Sequence, residues 1–403
     1  MRIVIVGCGD AGLSAAFAAA RQDPTAEITV ISEEEKYYPR CPLPYLIGGN
    51  LSEKDLIKDL DLMFKGTRIK LVIDHAVRLS KDSIECEDNT IPFNRAVVAT
   101  GGHASQIPGS LALRTLKDAR DIQRLAKDAK EIVIVGGGML GCELADMLGG
   151  TIVEKDDRIL PNFDREFADV IAANLKAKGV KISTGTKEIP ESDLVISCIG
   201  VEPNLELARN SGIKASSFGM IVGDHLQTNR RNVYAAGDCI EEWCFISKQP
   251  MHSYLGPQAE REGVIAGVNA AGGDMAYLGS LNAVAAKIGE VEIGRTGMSS
   301  ADAERHGIKT VVGRIDTKTK PEYERTAREL MIKMVFKNRR LIGCQALGGE
   351  GVDGIINLAS YAIQHHASID DLMSLGYCFS PPICSAPNPI VLCAENAKRR
   401  MTR

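Results

Sequence analysis

Cys41 is the nucleophile with the most structured surroundings in the sequence. It stands in Tyr38-Pro-Arg-Cys41-Pro-Leu-Pro-Tyr45-Leu-Ile-Gly-Gly49. Proline suits the first position of a helix, so Cys41 is expected as the N-cap of a short one. The helix dipole and the Arg40 cation would then lower its pKa and favour the thiolate. No cysteine follows at C-x2-C or C-x4-C spacing, so a paired dithiol is not expected. A single reactive sulfur has to cycle through a mixed disulfide, a persulfide or a sulfenic acid. The competing reading is an ordinary packed thiol.

Two glycine-rich turns supply a second kind of chemistry. The first is Gly7-Cys-Gly9-Asp10-Ala11-Gly12, followed by Glu33 and Glu34. The second is Gly136-Gly-Gly138-Met139-Leu140-Gly141, followed by Glu154. Each sits between an apolar strand pattern and a helical one. Glycines there allow a tight turn and let the backbone approach a pyrophosphate, while the helix N-terminus supplies donors. The acid some twenty residues on would accept from an adenosine ribose. Glu154 would repel a 2′-phosphate and so favours NADH; Lys155 and Arg158 beside it would act in the other direction.

Elements that could hold these turns are legible around them. Arg2–Val6, Ala11–Arg21 and Glu27–Ser32 read as strand, helix and strand. Glu131–Val135, Met139–Leu148 and Thr151–Glu154 repeat that order, and a polar helical stretch at Lys117–Lys130 joins the two units. Such βαβ units predict an α/β fold with parallel sheets covered by helices. Beyond about Leu281 the pattern changes to strands, turns and a helix at Asp353–His365, which predicts a separate α+β domain. With 403 residues the chain is too long for one core. Its net charge of -4 gives no reason to expect nucleic acid or anionic membrane. No signal peptide and no apolar run of membrane-spanning length is read, and the eleven cysteines are scattered. Reduced thiols and a cytoplasmic location are therefore expected.

Taken together, these motifs resemble the FAD-dependent pyridine nucleotide-disulfide oxidoreductases. Within them the chain looks most like the single-cysteine branch: CoA-disulfide reductase, NADH oxidase, NADH peroxidase and NAD(P)H sulfur reductase. Ala99-Thr100-Gly101 is similar to the family segment beside FAD, and Ile199-Gly200-Val-Glu-Pro-Asn204 to its I-G-x-x-P-N segment. Tyr234-Ala-Ala-Gly237-Asp238 resembles the second FAD motif, whose aspartate binds the ribityl chain. Leu255-Gly-Pro257 resembles the helix start that faces the flavin pyrimidine, and Glu143 a glutamate near the nicotinamide. Cys41, Pro44, Tyr45, Ile47, Gly48 and Gly49 match the single-cysteine motif, with Pro42 in place of its usual glycine. Gly348-Gly-Glu-Gly-Val-Asp353 is similar to the dimerisation domain.

The resemblance implies FAD at the first turn, NAD(P)H at the second, and a homodimer. It implies an FAD domain of residues 1–112 and 220–280, an NAD(P)H domain of 113–219 and a dimerisation domain of 281–403. The implied reaction is NAD(P)H-driven reduction of a small disulfide, persulfide or polysulfide through Cys41. Reduction of oxygen or peroxide, electron transfer to a protein carrier such as a ferredoxin, and a non-catalytic redox sensor are the alternatives.

The tail departs from the family pattern. Phe379 and Ile383 stand where CoA-disulfide reductases carry tyrosines, which weakens that particular substrate. Cys384 nearby either packs a Pro-rich turn or serves as a resolving thiol opposite the partner subunit's Cys41. His365 and His366 point in different directions on a helix, so a structural role is expected. Cys239, Cys244 and His252 lack zinc-site spacing, and His103 has no acid/base partner in sequence. No metal is expected.

Overall fold

The computed structural model describes residues 1–401. Met1–Lys127 and Ile199–Ser280 form one compact unit; Asp128–Cys198 and the chain from Leu281 onward form another.

The first unit is built on a parallel sheet in the order Val233–Ala235, Arg95–Val98, Arg2–Val6, Glu27–Ser32, Ile69–Ile73. Ile3, Ile5, Val30, Val97 and Val98 are wholly buried, as β-branched residues covered on both faces should be. Two helices, Asp10–Gln22 and Gly256–Ala270, pack tightly on one another. Their contact face is Ala- and Gly-rich, which lets the backbones come close: Ala15, Ala16 and Ala266 have no exposed surface. An antiparallel meander, Ala76–Leu79, Ser83–Cys86 and Thr90–Pro92, lies outside that sheet.

The second unit repeats the parallel architecture, with Leu194–Ser197, Ile132–Val135, Thr151–Glu154 and Lys181–Thr184 side by side. Met139–Leu148 and Arg165–Ala177 are its helices. The same unit holds a five-stranded antiparallel sheet in the order Val284–Ile288, Val291–Gly297, Arg340–Gly348, Glu329–Lys337, Val311–Lys318. Val352–Gln364 and Pro389–Met401 pack on that sheet. The expected α/β plan, with two Rossmann-type units and a C-terminal α+β part, is therefore present. No helix among the described residues is long and apolar enough to cross a membrane.

The unit boundaries differ from the expected ones at 112/113 and 219/220. The Leu116–Ala126 helix stays with the first unit because it packs on Leu43–Ile47, and Gln123 Nε2 donates to the Leu46 carbonyl at 2.9 Å. Val201–Pro203 stays there because it pairs antiparallel with Gly102–Ala104.

Candidate active site

At the first turn, Gly7 takes φ +97°, and a Cβ on it would lie 2.2 Å from the Ala99 carbonyl oxygen. A Cβ on Gly12 would lie 1.9 Å from the Gly7 oxygen, so this glycine lets the helix sit against the strand. Gly9 is different: nothing stands within 4 Å of its missing side chain. It caps the Asp10–Gln22 helix without a side-chain bond, so the first-turn amides remain for a ligand. A cleft of 1080 Å³ opens there. That is the upper end of small-molecule sites, about 300–1000 Å³, as an extended dinucleotide requires. The bare glycine, the free helix start and the cleft size all fit FAD.

Gly7, Gly9, Asp10, Ala11, Glu33, Glu34, Arg40, Cys41, Ala99, Thr100, Gly101, Gly237 and Asp238 all border this cleft. Three expected residues do not. Gly12 lies beneath the turn. Pro257 is the second residue of its helix, and Gly256 forms the wall instead. Gly200 precedes the Val201–Pro203 strand, where its carbonyl accepts from Ser105 N–H at 3.0 Å. Asn204 ties two motifs together: its Nδ2 donates to the Thr100 carbonyl at 2.8 Å, and its own carbonyl accepts from Thr100 Oγ1 at 3.1 Å.

Among the wall residues that escaped the sequence reading, Arg114 and Tyr37 hold named site residues. Arg114 forms an ion pair with Asp238 and donates from Nε to the Gly102 carbonyl at 3.0 Å. Tyr37 donates to Asp10 Oδ1 at 2.6 Å. A lone arginine and a lone tyrosine carry no spacing signal.

The Cys41 thiol is exposed at this cleft. It is not an N-cap: the local helix runs Leu43–Ile47 with Pro42 as cap. Pro42 adopts helical angles, and a turn closed by Leu43 N–H on the Arg40 carbonyl puts Cys41 one residue earlier. A five-residue helix has little dipole to offer. The larger neighbour is the fifteen-residue helix starting at Gly256, since Cys41 Sγ lies 3.4 Å from where a Gly256 Cβ would be. Arg40 is turned elsewhere, donating to the Arg114 carbonyl at 3.0 Å with its guanidinium over the Tyr38 ring.

The other thiols are less available. Burial pushes Cys8 and Cys198 up to about 12 and Cys239 and Cys86 up to about 11. It also raises Cys142, Cys344 and Cys393, so all seven stay protonated at neutral pH. In the tail, Cys384 Sγ faces the Cys378 carbonyl at 3.5 Å, and Phe379 and Ile383 are exposed. His103 Nδ1 meets Asn204 Oδ1 at 2.8 Å, and His365 packs on Tyr361. His252 stacks on Phe218, while Cys239 is buried against the Val98 and Ala236 carbonyls. No cluster of His, Cys, Asp or Glu able to hold a metal occurs among the described residues.

The second turn repeats the first in the other unit. A Cβ on Gly141 would lie 1.9 Å from the Gly136 oxygen, whereas Gly138 faces open space and caps Met139–Leu148 without a side-chain bond. Met139 and Leu140 open that helix, and Glu143 is half-buried on it. Glu154 is buried at the end of its strand. Its Oε2 accepts from Gly137 N–H at 2.7 Å and its Oε1 from Asp156 N–H at 2.9 Å. The bare Gly138 and the anchored acid fit a second dinucleotide.

Two dinucleotide turns on parallel sheets, with an exposed thiol at one cleft, define a class of dinucleotide-dependent redox protein. Residues 1–263 match the family described as pyridine nucleotide-disulphide oxidoreductase, and residues 284–387 match its dimerisation domain. The chain is 31% identical to a NADH oxidase of Methanocaldococcus jannaschii, with 100% of both proteins covered. It is 28% identical to an NAD(P)H sulfur oxidoreductase (CoA-dependent) of Pyrococcus abyssi, with 98% of each covered. A solved NAD-dependent persulfide reductase from A. fulgidus superimposes with a TM-score of 0.92 at 25% identity, covering 100% of this chain and 84% of that one. The chain belongs to the pyridine nucleotide-disulphide oxidoreductase family. It is a flavoenzyme oxidoreductase whose cofactors are FAD and NAD(P)H.

Proposed function

We propose that this enzyme reduces a low-molecular-weight disulfide, persulfide or polysulfide with NAD(P)H, through Cys41 as its single redox-active sulfur. The observation that carries the reading is the exposed Cys41 thiol at the cleft of the first dinucleotide turn. The raised pKa values of seven other cysteines support it, since they leave few competing nucleophiles. The sulfur and persulfide reductases among the relatives support the substrate class.

In this reading Gly7, Gly9, Ala11, Glu33, Glu34, Thr100, Gly237 and Asp238 hold FAD. Gly136, Gly138, Gly141 and Glu154 hold the nicotinamide dinucleotide. Bound at the first turn, FAD would supply the two-electron relay between NAD(P)H and sulfur. Cys41 attacks the substrate sulfur as a thiolate, holds one half as a mixed disulfide, and is freed when that bond is reduced. The C-terminal domain makes a homodimer.

The test is an anaerobic assay of wild type and Cys41→Ser against CoA disulfide, polysulfide, cystine and peroxide. Cys41→Ser should keep its FAD absorbance and lose disulfide and polysulfide reduction. Full retention of those activities would overturn the reading. A second reading, oxygen or peroxide reduction at the same sulfur, is favoured by the NADH oxidase of M. jannaschii. Turnover with peroxide or oxygen but none with the sulfur substrates would select it.

A further inference from the structure

A Cβ built on Gly256 would meet two reactive side chains at once: Asp10 Oδ2 at 3.1 Å and Cys41 Sγ at 3.4 Å. A carboxylate oxygen and a thiol therefore converge on one point, at the bare first residue of a fifteen-residue helix. Asp10 is held in place there. Its other oxygen accepts the Tyr37 hydroxyl at 2.6 Å, which leaves Oδ2 on the side of Gly256, where Cys41 also lies.

Several charged and titratable groups lie around this point. Asp10 comes from the first helix, Tyr37 from the short strand Lys36–Tyr37, Arg40 from the turn before Cys41, and Glu260 from the long helix. Burial raises the Tyr37 phenol, and the charges of Asp10, Glu260 and Cys41 raise it further. It is thus a hydrogen-bond donor and not an anion. Arg40 faces Tyr38 and the Arg114 carbonyl.

The two distances to the Gly256 position put the carboxylate oxygen and the sulfur no more than about 6.5 Å apart, a range over which like charges still repel, and the helix start favours one negative charge. We propose that Asp10 is the acid/base partner of the reactive sulfur and Tyr37 the residue that positions it. The inference rests on Cys41 being that sulfur.

The exchange balances as follows. Asp10 carboxylate takes the proton of the Cys41 thiol. The thiolate attacks one sulfur of R–S–S–R, forming a Cys41–S–S–R bond. The R–S–S–R bond breaks, and the other sulfur leaves with the electron pair as R–S⁻. The Asp10 proton converts it to R–SH, and the carboxylate is restored. One disulfide is exchanged for another, with no net oxidation.

The test uses FAD-loaded enzyme reduced with dithiothreitol and desalted. Thiol release is followed on mixing with an alkyl disulfide or an aryl disulfide, with Cys41→Ser as the background. Alkyl thiolates are basic leaving groups and need the proton; aryl thiolates leave without it. Asp10→Asn should slow exchange with the alkyl disulfide by about a hundredfold, the scale of general acid catalysis, and spare the aryl one. The pH midpoint of Cys41 alkylation should also fall by about half a unit or more, because a neighbouring negative charge has gone. Equal slowing with both disulfides and an unmoved midpoint would overturn the proposal. Should Asp10→Asn release FAD, Tyr37→Phe carries the same comparison, with a smaller but still alkyl-selective loss expected and an equal effect on both disulfides refuting it. Undiminished fast exchange in Cys41→Ser would instead overturn the reading of Cys41.

Discussion

Glu154 spends one bond from each carboxylate oxygen on its own turn. Its two oxygens accept from Gly137 and Asp156 N–H, which fixes the turn. A carboxylate has about four acceptor positions, so capacity remains for a ribose. Arg158, the residue that would favour a 2′-phosphate, is engaged by Asp157 Oδ1 at 2.9 Å and the Pro161 carbonyl at 3.3 Å. The enzyme is therefore expected to prefer NADH, and Glu154→Gln should lower the NADH:NADPH ratio of kcat/KM by about tenfold, the size of one charged hydrogen bond. Steady-state kinetics with both nucleotides checks this; an unchanged ratio would remove Glu154 from specificity. The position of Glu154 was legible from its spacing after the second turn. Its bond to Gly137 was not, because a glycine amide carries no mark of its acceptor. Asp10 was read as a cofactor-binding residue of the first turn; its hydrogen bond from Tyr37 depends on chain paths that spacing does not encode.

Among the elements, the glycines of the first turn divide into two kinds. Gly12 is required by the protein: an alanine Cβ would sit 1.9 Å from the Gly7 oxygen and push the Asp10–Gln22 helix off its strand. Gly9 is clear of protein and borders the cleft. Gly9→Ala should leave apoprotein stability within about 0.5 kcal/mol, as a surface change does, yet reduce FAD retention. Gly12→Ala should lower both. Calorimetry and flavin-to-protein absorbance ratios separate the two, and full FAD loading of Gly9→Ala would contradict the assignment. Strand–turn–helix order was readable here because period-2 and helical patterns flank each turn. The short helix after Cys41 was placed one residue too early: Pro42 took the cap position itself, closing a turn on Arg40. A single proline fits either place, and only the hydrogen bonds decide.

Across the whole molecule, the second unit is held together by a buried acid that its position in the sequence did not advertise. Asp164 precedes the Arg165–Ala177 helix but turns its carboxylate to Ser300 Oγ, Gln345 Nε2 and Lys333 Nζ, each at 2.8 Å. Burial alone would raise its pKa, but Lys333, Ser300 and the Ala301 amide reverse that and hold it below the usual range. The ionised form therefore stabilises the fold above the unfolded-state value near 4, and that contribution is lost as pH falls below it. Urea midpoints should drop as pH is lowered through this range, and Lys333→Met should cost about 3–5 kcal/mol at neutral pH, as expected for a buried pair deprived of one partner. A neutral-pH stability unchanged by Lys333→Met would refute this. The division between the units turns on Leu116–Ala126 and Val201–Pro203, which are assigned by what they pack against, whereas helix and strand signals in the sequence are local. That division has a consequence for synthesis. The Val233–Ala235 strand pairs with Arg95–Val98, and everything from Asp128 to Cys198 belongs to the other unit. A ribosome thus releases Arg95–Val98 with one sheet edge unfilled and makes a large part of a second body before the filling strand emerges. The order of birth is not the order of assembly, and the nascent chain carries an open β-edge that a chaperone would have reason to guard.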